Sequence, residues 1–384
     1  VVVVGSGTMF ISGVSHYTRY VSAALSEHTP TAAILMRRLI PRSLYPGRAR
    51  VGEPLTDARY PPSVQVLDGV DWFWGAGMLR ALCLLHRRRP RAVVFEWWTG
   101  AVLHSYLLLA LAARLLGARV IVELHEMQDT GEAGFPPARV YTRLAGGILM
   151  RLAHSFVVHS EFDRRALRES YPVTGRRCEV VLHGPYSHYA VTEAEPLREA
   201  PPGVCNILFF GTIRPYKGLE DLVRAFELLV AGADGAADCW LTVVGETWEG
   251  WREPLALIER SPARARITLV NEYVSDAEAA RWFAGADVVA LPYRRSSASG
   301  PLHVAMDAGL PVVVGDVGGL GEACAHYDGA VTVAPADPSA LHAGLTRAIA
   351  LRGARYADEG SWERTAEVLL ALCGERDERV PAGV

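Results

Sequence analysis

The sequence predicts an α/β protein built as two doubly wound, mostly parallel units facing across a cleft. Three observations predict it. Short apolar runs alternate with amphipathic helical stretches along nearly the whole chain. At 384 residues, half of them apolar, the chain is long enough for two domains with substantial cores. A polar segment, 193–203, carries Pro196, Pro201 and Pro202 and interrupts the alternation near the middle, as an interdomain linker would. The expected domains are therefore 1–198 and 203–358.

In the first half, the apolar run 1–4 reads as a central strand. Gly5, Gly7 and Gly13 follow, then a helix over 15–25. The third glycine is displaced, so the loop falls short of a dinucleotide fingerprint. Further strands are expected at 32–36, 64–67, 92–98, 119–124, 155–158 and 178–182, with helices at 79–87, 103–116 and 139–152. Ser160 is placed to cap another helix. In the second half, strands are expected at 206–210, 240–244, 266–270, 287–291, 311–314 and 329–333. Helices are expected at 219–230, 302–308, 340–351 and 361–372, with one more ending at Phe283.

Ligands of open parallel sheets bind outside the carboxyl ends of the strands. The loops placed there are 5–13, 96–100, 125–130 and 183–186 in the first domain and the corner 209–218 in the second. That corner holds Lys217, the only lysine in the chain, together with Arg214, Gly211 and Gly218. Arginine offers a fixed fork and lysine a point charge, while the glycines keep backbone close, a pattern suited to a diphosphate. A second small-residue stretch, 296–302, ends in Ser299, Gly300, Pro301 and Leu302 at the start of a helix, whose amides suit the rest of the anion. His125 follows a strand directly, between Glu123 and Glu126, and is a candidate to contact a sugar hydroxyl or a developing charge. Glu126 and Asp129 are candidates for an acceptor hydroxyl. HExxH, DxD and P-loop patterns are absent, so no metal site is expected.

A formal charge of -3 gives no basis for nucleic-acid binding. Arginines do cluster in the first third, at Arg37, Arg38, Arg42, Arg48 and Arg50 and at Arg87, Arg88, Arg89 and Arg91. With Trp97 and Trp98 they permit peripheral contact of the first domain with a membrane surface. Trp72, Phe73 and Trp74 read as core. The six cysteines form no CxxC and suit a reducing compartment. The start shows no signal peptide and no initiator, so the true start is expected upstream. The apolar run 106–116 is too short to span a bilayer.

The run Phe210-Gly211-Thr212-Ile213-Arg214-Pro215-Tyr216-Lys217-Gly218 is joined by Val244-Gly245, Ala286-Asp287-Val288, the run from Ala305 to Val313, and Gly318-Gly319. With Ser12-Gly13-Val14 and His125, these resemble a retaining glycosyltransferase of the GT-B fold, family-4 type (glycosyl transferases group 1), over nearly the whole length. The resemblance implies that Arg214 and Lys217 bind the donor diphosphate, with Gly211, Gly245 and the 299–302 loop around the nucleotide sugar. It places His125 near the donor sugar and Gly13 near the phosphates and acceptor. The last helix, 360–375 around Trp362, is similar to the segment that packs back on the first domain. The donor would be a UDP- or GDP-sugar, with no cofactor and no metal. The acceptor would be a hydroxyl of a saccharide, a lipid-linked intermediate or a small molecule. One departure stands out: the family's two glutamates eight positions apart correspond to Ser296 and Val304. Two other readings stay open, a nucleotide-sugar epimerase on the same fold and a non-catalytic sugar-nucleotide-binding partner.

Overall fold

The computed structural model describes all residues except 8, 10–11, 42–58, 127–135, 233–237, 249, 296–297 and 375–384. The chain divides into two compact units, Val1–His183 with Ser361–Val384, and Gly184–Gly360.

The first unit is a seven-stranded parallel sheet in the order β3-β2-β1-β4-β5-β6-β7. Its strands are β1 (Val2–Ser6), β2 (Thr31–Arg38), β3 (Val64–Asp71), β4 (Ala92–Trp97), β5 (Arg119–Leu124), β6 (Ser155–Val158) and β7 (Arg177–Val180). Val2, Val3 and Val4 are wholly buried, as a strand covered on both faces requires. The crossover helices are α1 (Ser12–His28), α2 (Gly75–Arg88), α3 (Leu103–Leu115), α4 (Pro136–Leu152) and α5 (Glu161–Ser170). Ser160 caps α5 by accepting a hydrogen bond from the Asp163 amide at 3.0 Å. Strand order reverses between β1 and β4, so the carboxyl ends there open the crevice where such sheets take ligands.

The second unit is a six-stranded parallel sheet, β10-β9-β8-β11-β12-β13. Its strands are β8 (Cys205–Phe210), β9 (Cys239–Val244), β10 (Ile267–Val270), β11 (Val288–Leu291), β12 (Val312–Gly315) and β13 (Ala330–Val333). Its helices are α6 (Leu219–Ala231), α7 (Glu253–Arg260), α8 (Asp276–Ala284), α9 (Gly300–Asp307), α10 (Leu320–Ala323) and α11 (Pro338–Ala350). The last helix, α12 (Trp362–Gly374), belongs to the first unit. Its Ala366, Leu369 and Leu372 are buried with Tyr17, Val21 and Leu25 of α1.

The structure departs from the sequence reading in several places, of which these bear most on the site and surface. α9 starts at Gly300 rather than at 302, because Ser299 caps it and Pro301 fits a first helical turn, where a missing N–H costs nothing. α2 starts at Gly75 rather than at 79, after a turn that holds Trp74 at φ 65°. That turn leaves Trp72, Phe73 and Trp74 40%, 51% and 40% exposed, so they are not core. Conversely Trp97 and Trp98 are buried in the first unit's core and offer nothing to a membrane. Residues read as linker are held on the second unit. The Leu197 amide donates to the Arg281 carbonyl at 2.9 Å, and Arg198 donates to Asp287 at 2.8 Å.

Candidate functional site

In the second unit the β8–α6 corner is shaped by backbone contact. Gly211 and Gly245, at the ends of β8 and β9, lie so close that a Cβ on Gly245 would sit 1.8 Å from the Gly211 carbonyl oxygen. A Cβ on Gly218 would sit 2.1 Å from the Pro292 oxygen at the end of β11. Only glycine admits these approaches, and both residues have positive φ, 156° and 67°. Between Gly211 and Gly218 a short 3₁₀ turn, Pro215–Lys217, closes with the Lys217 amide donating to the Arg214 carbonyl at 3.0 Å.

That geometry holds two cations nearly buried, Arg214 at 8% and Lys217 at 9% exposure. Aromatic faces receive them. Lys217 Nζ lies 3.7 Å from the Tyr293 ring centre, and the Arg214 guanidinium lies 5.3 Å from Tyr216 and 5.6 Å from Trp248. A third cation is committed elsewhere: Arg294 forks onto buried Asp221 at 2.8 and 2.9 Å. Ser299 donates its hydroxyl to the Tyr293 hydroxyl at 3.3 Å, so Tyr293 joins the α9 cap to Lys217. A Cβ on Gly211 would meet Pro301 Cγ at 3.6 Å, so the corner and the start of α9 adjoin. Pro301 has no N–H, and the Leu302 amide is bonded to Ser299, with the Leu302 side chain in the core. Of these three residues, Gly300 alone has an amide that makes no hydrogen bond among the described residues. Val304 is 3% exposed and has no polar side-chain atom. Ser296 lies outside the described residues.

In the first unit His125 follows β5 and its amide donates to the Trp97 carbonyl at 2.9 Å. Its Nδ1 faces Nε2 of His159 at 3.1 Å, and His159 Nδ1 faces the Val181 carbonyl at 3.1 Å. A carbonyl only accepts, so His159 carries its proton on Nδ1 and offers a lone pair on Nε2. His125 therefore carries its proton on Nδ1, and its enclosed Nε2, which finds no partner among the described residues, is an acceptor. Burial pushes both imidazoles down, His159 to about 4, so the relay stays neutral. This arrangement suits a hydroxyl donor and does not suit an anion. Tyr17 stands edge-on to His125, His159, His183 and Trp362, with ring centres 4.3 to 5.4 Å away. Glu126 is half-buried, and Asp129 lies outside the described residues.

Beneath the histidines, β4 and β5 set Glu96 opposite Glu123, and both carboxyl groups are wholly buried. Tyr17 donates to Glu123 at 2.6 Å, and Thr18 bonds Glu96. Gly5 makes room for this pair rather than for a ligand, since a Cβ there would lie 2.4 Å from both Glu96 Oε2 and Thr18 Oγ1. Gly13 lies in the first turn of α1. Burial raises Glu96 well above the carboxylate range, with the charge of Glu123 adding to it. Burial raises Glu123 to about 7 against the opposing Tyr17 bond.

The signs of these shifts predict a pH dependence. Glu123 holds its proton up to about 7 in the folded chain against 4.5 otherwise, so stability falls as pH rises through that window. His159 does the reverse: it resists protonation down to about 4 against 6.5, so stability rises with pH between them. The two windows overlap and oppose. Glu123→Gln keeps an acceptor for Tyr17 and removes one arm. Its melting temperature should then climb from pH 4.5 to 6.5 more steeply than that of the parent chain. Parallel thermal melts check this, and equal slopes would mean that Glu123 titrates normally.

Of the three histidines, His125 is the one the sequence marks as a candidate contact. His159 and His183 carried the same signal, a histidine just beyond the carboxyl end of a strand. Tyr293, which joins the α9 cap to Lys217, gave no motif.

The family model described as Glycosyl transferases group 1 matches residues 205–350, so the second unit carries such a domain. A D-inositol 3-phosphate glycosyltransferase of Rhodococcus erythropolis is 28% identical over 230 residues, 56% of this chain and 52% of that protein. One from Segniliparus rotundus is 26% identical over 323 residues, 77% of this chain and 68% of that protein. The chain spans about half the length, or less, of the first curated relatives it matches. Among solved structures, a trehalose-6-phosphate protein from E. coli bound with UDP-2-fluoro glucose superposes with a TM-score of 0.65 at 15% identity, covering 97% of this chain and 98% of that one. Anabaena HepE in complex with UDP and glucose gives 0.61 at 14% identity, covering 96% and 98%. Two Rossmann-like sheets matched over this length make the fold GT-B.

Proposed function

We propose that this chain is a retaining glycosyltransferase that moves a hexose from a UDP- or GDP-sugar to a hydroxyl acceptor. The observation that carries the reading is the nearly buried pair Arg214 and Lys217, at a glycine-shaped strand end beside the start of α9, inside the group 1 domain. The pair would meet the charge that develops on the departing diphosphate, with the Gly300 amide beside it. His125 Nε2, fixed as an acceptor, would take a hydrogen bond from a donor-sugar hydroxyl. Asp221, the carboxylate beside Gly218, is engaged by the Arg294 fork, so a donor phosphate oxygen is assigned the acceptor proton. Val304 offers no grip on a ribose, which leaves more of the donor's binding to Arg214 and Lys217. We assign that charge neutralisation to the two cations rather than to a metal, in line with a sequence that has no DxD.

We assign the donor to the second unit and the acceptor to the first. A saccharide, a lipid-linked intermediate or a small polyol would serve as acceptor, in the assembly of a polysaccharide, glycolipid or other glycoconjugate in the cytoplasm. The test is incubation of the chain with isotope-labelled UDP- and GDP-hexoses and an acceptor panel that includes inositol phosphates. Free nucleoside diphosphate released only when acceptor is present, with the product's anomeric configuration retained by NMR, is the expected result. A new epimer of the donor without transfer would replace this reading with an epimerase. Donor binding with no turnover on any acceptor would replace it with a binding protein.

A further inference from the structure

We propose that one helical face of the first unit docks on an anionic lipid surface. α3 packs against both α2 and α4, so the three form a continuous layer on one side of the sheet. They carry Arg80, Arg87, Arg88, Arg114, Arg139, Arg143 and Arg151, all exposed, and no Asp or Glu. The same helices expose Leu79, Leu111, Leu115, Val140, Leu144 and Ile148, with Leu115 81% and Leu144 65% accessible. Val140, Leu144 and Ile148 are four residues apart and so line one stripe of α4. Surfaces that meet only water mix both signs of charge and scatter their apolar side chains. The opposite layer does so: α1 and α12 carry Glu27, Glu363 and Glu367 beside Arg19 and Arg364. The patch ends at α5, where Glu161 and Glu169 return the mixture.

A built aromatic turn accompanies this face. Trp72 and Phe73 are exposed just before α2, and Trp74 is held at φ 65°, where bulky residues are rare. Such a turn persists only if its surroundings fix it. Here Arg37 forks onto Asp71, His104 on α3 donates to the Trp72 carbonyl at 2.7 Å, and the Trp74 indole donates to Ser105 at 3.1 Å. Tryptophan is favoured at the boundary between headgroups and acyl chains, arginine pairs with phosphate, and leucine enters the apolar margin. A protein partner would have to supply an unbroken acidic rim around an apolar centre, whereas an anionic bilayer offers both everywhere. Among the described residues no helix is long and apolar enough to cross a membrane, so the contact is peripheral.

The test is sedimentation of the full chain with vesicles of phosphatidylglycerol and phosphatidylcholine, and of phosphatidylcholine alone. We expect binding to the anionic vesicles, weakened by salt, and little to the neutral ones. Leu115→Glu with Leu144→Glu, and separately Trp72→Ala with Phe73→Ala, should each weaken that binding about tenfold or more. Unchanged melting of these variants would show that the exposed substitutions leave the fold intact. Failure of the parent chain to sediment at any anionic fraction, or undiminished sedimentation of both double variants, would overturn the proposal. So would a lipid-independent dimer that Leu115→Glu with Leu144→Glu converts to monomer, since the face would then join two copies. The readout is partitioning alone, so its outcome does not depend on which reaction the chain catalyses.

Discussion

Lys217→Ala should lose most of its affinity for nucleoside diphosphates. A charge-assisted hydrogen bond from a nearly buried ammonium contributes about 1.5–3 kcal/mol, which corresponds to about 10- to 150-fold in Kd for UDP or GDP. The setting favours the upper end, because Lys217 is only 9% exposed and therefore little screened by solvent. Its ammonium rests on the Tyr293 face rather than reaching freely into water, so little side-chain entropy remains to be lost on binding. Calorimetric titration of parent and variant with UDP and GDP is the check. Equal affinities would remove Lys217 from the donor site. Arg214 would then remain as the nearly buried cation of the corner.

Gly245→Ala should cost about 3 kcal/mol or more of stability, because two penalties fall on one atom. The added carbon would lie 1.8 Å from the Gly211 oxygen and 2.7 Å from its carbonyl carbon, both backbone atoms that cannot rotate away. The residue would also hold φ at 156°, which side chains rarely adopt. Gly250→Ala is the matched control: its φ is 70°, yet among the described residues nothing lies within 4 Å of the added carbon. It should pay only the conformational cost, about 1 kcal/mol. Urea denaturation midpoints separate the two. A Gly245→Ala midpoint no lower than that of Gly250→Ala would mean that the strand ends can part freely.

The fold was legible because many of the parallel strands hold short apolar runs, such as 1–4, 207–210 and 311–314, and the crossover helices keep their own period. The start of α9 was misplaced because proline reads as a break, whereas after a serine cap it opens a helix. The corner around Lys217 was legible because its residues are contiguous. The opposing pair Glu96 and Glu123 was not, because only the register of β4 on β5 brings together residues 27 positions apart in sequence. The relay from Val181 through His159 to His125 was hidden for the same reason: each member sits on a different strand end. Trp72 to Trp74 misled because aromatic residues are usually buried, and here a strained turn turns them outward.

The lone ε-amine of this chain is also a reporter. Reductive methylation with isotope-labelled formaldehyde would install a signal at Lys217 and otherwise only at an α-amine, so the spectrum needs no assignment campaign. With Nζ 3.7 Å above the Tyr293 ring, the dimethylammonium resonance should be displaced by the ring current and move when an anion draws the cation away. A residue read first as a binding group thereby becomes a site-specific probe of its own occupancy.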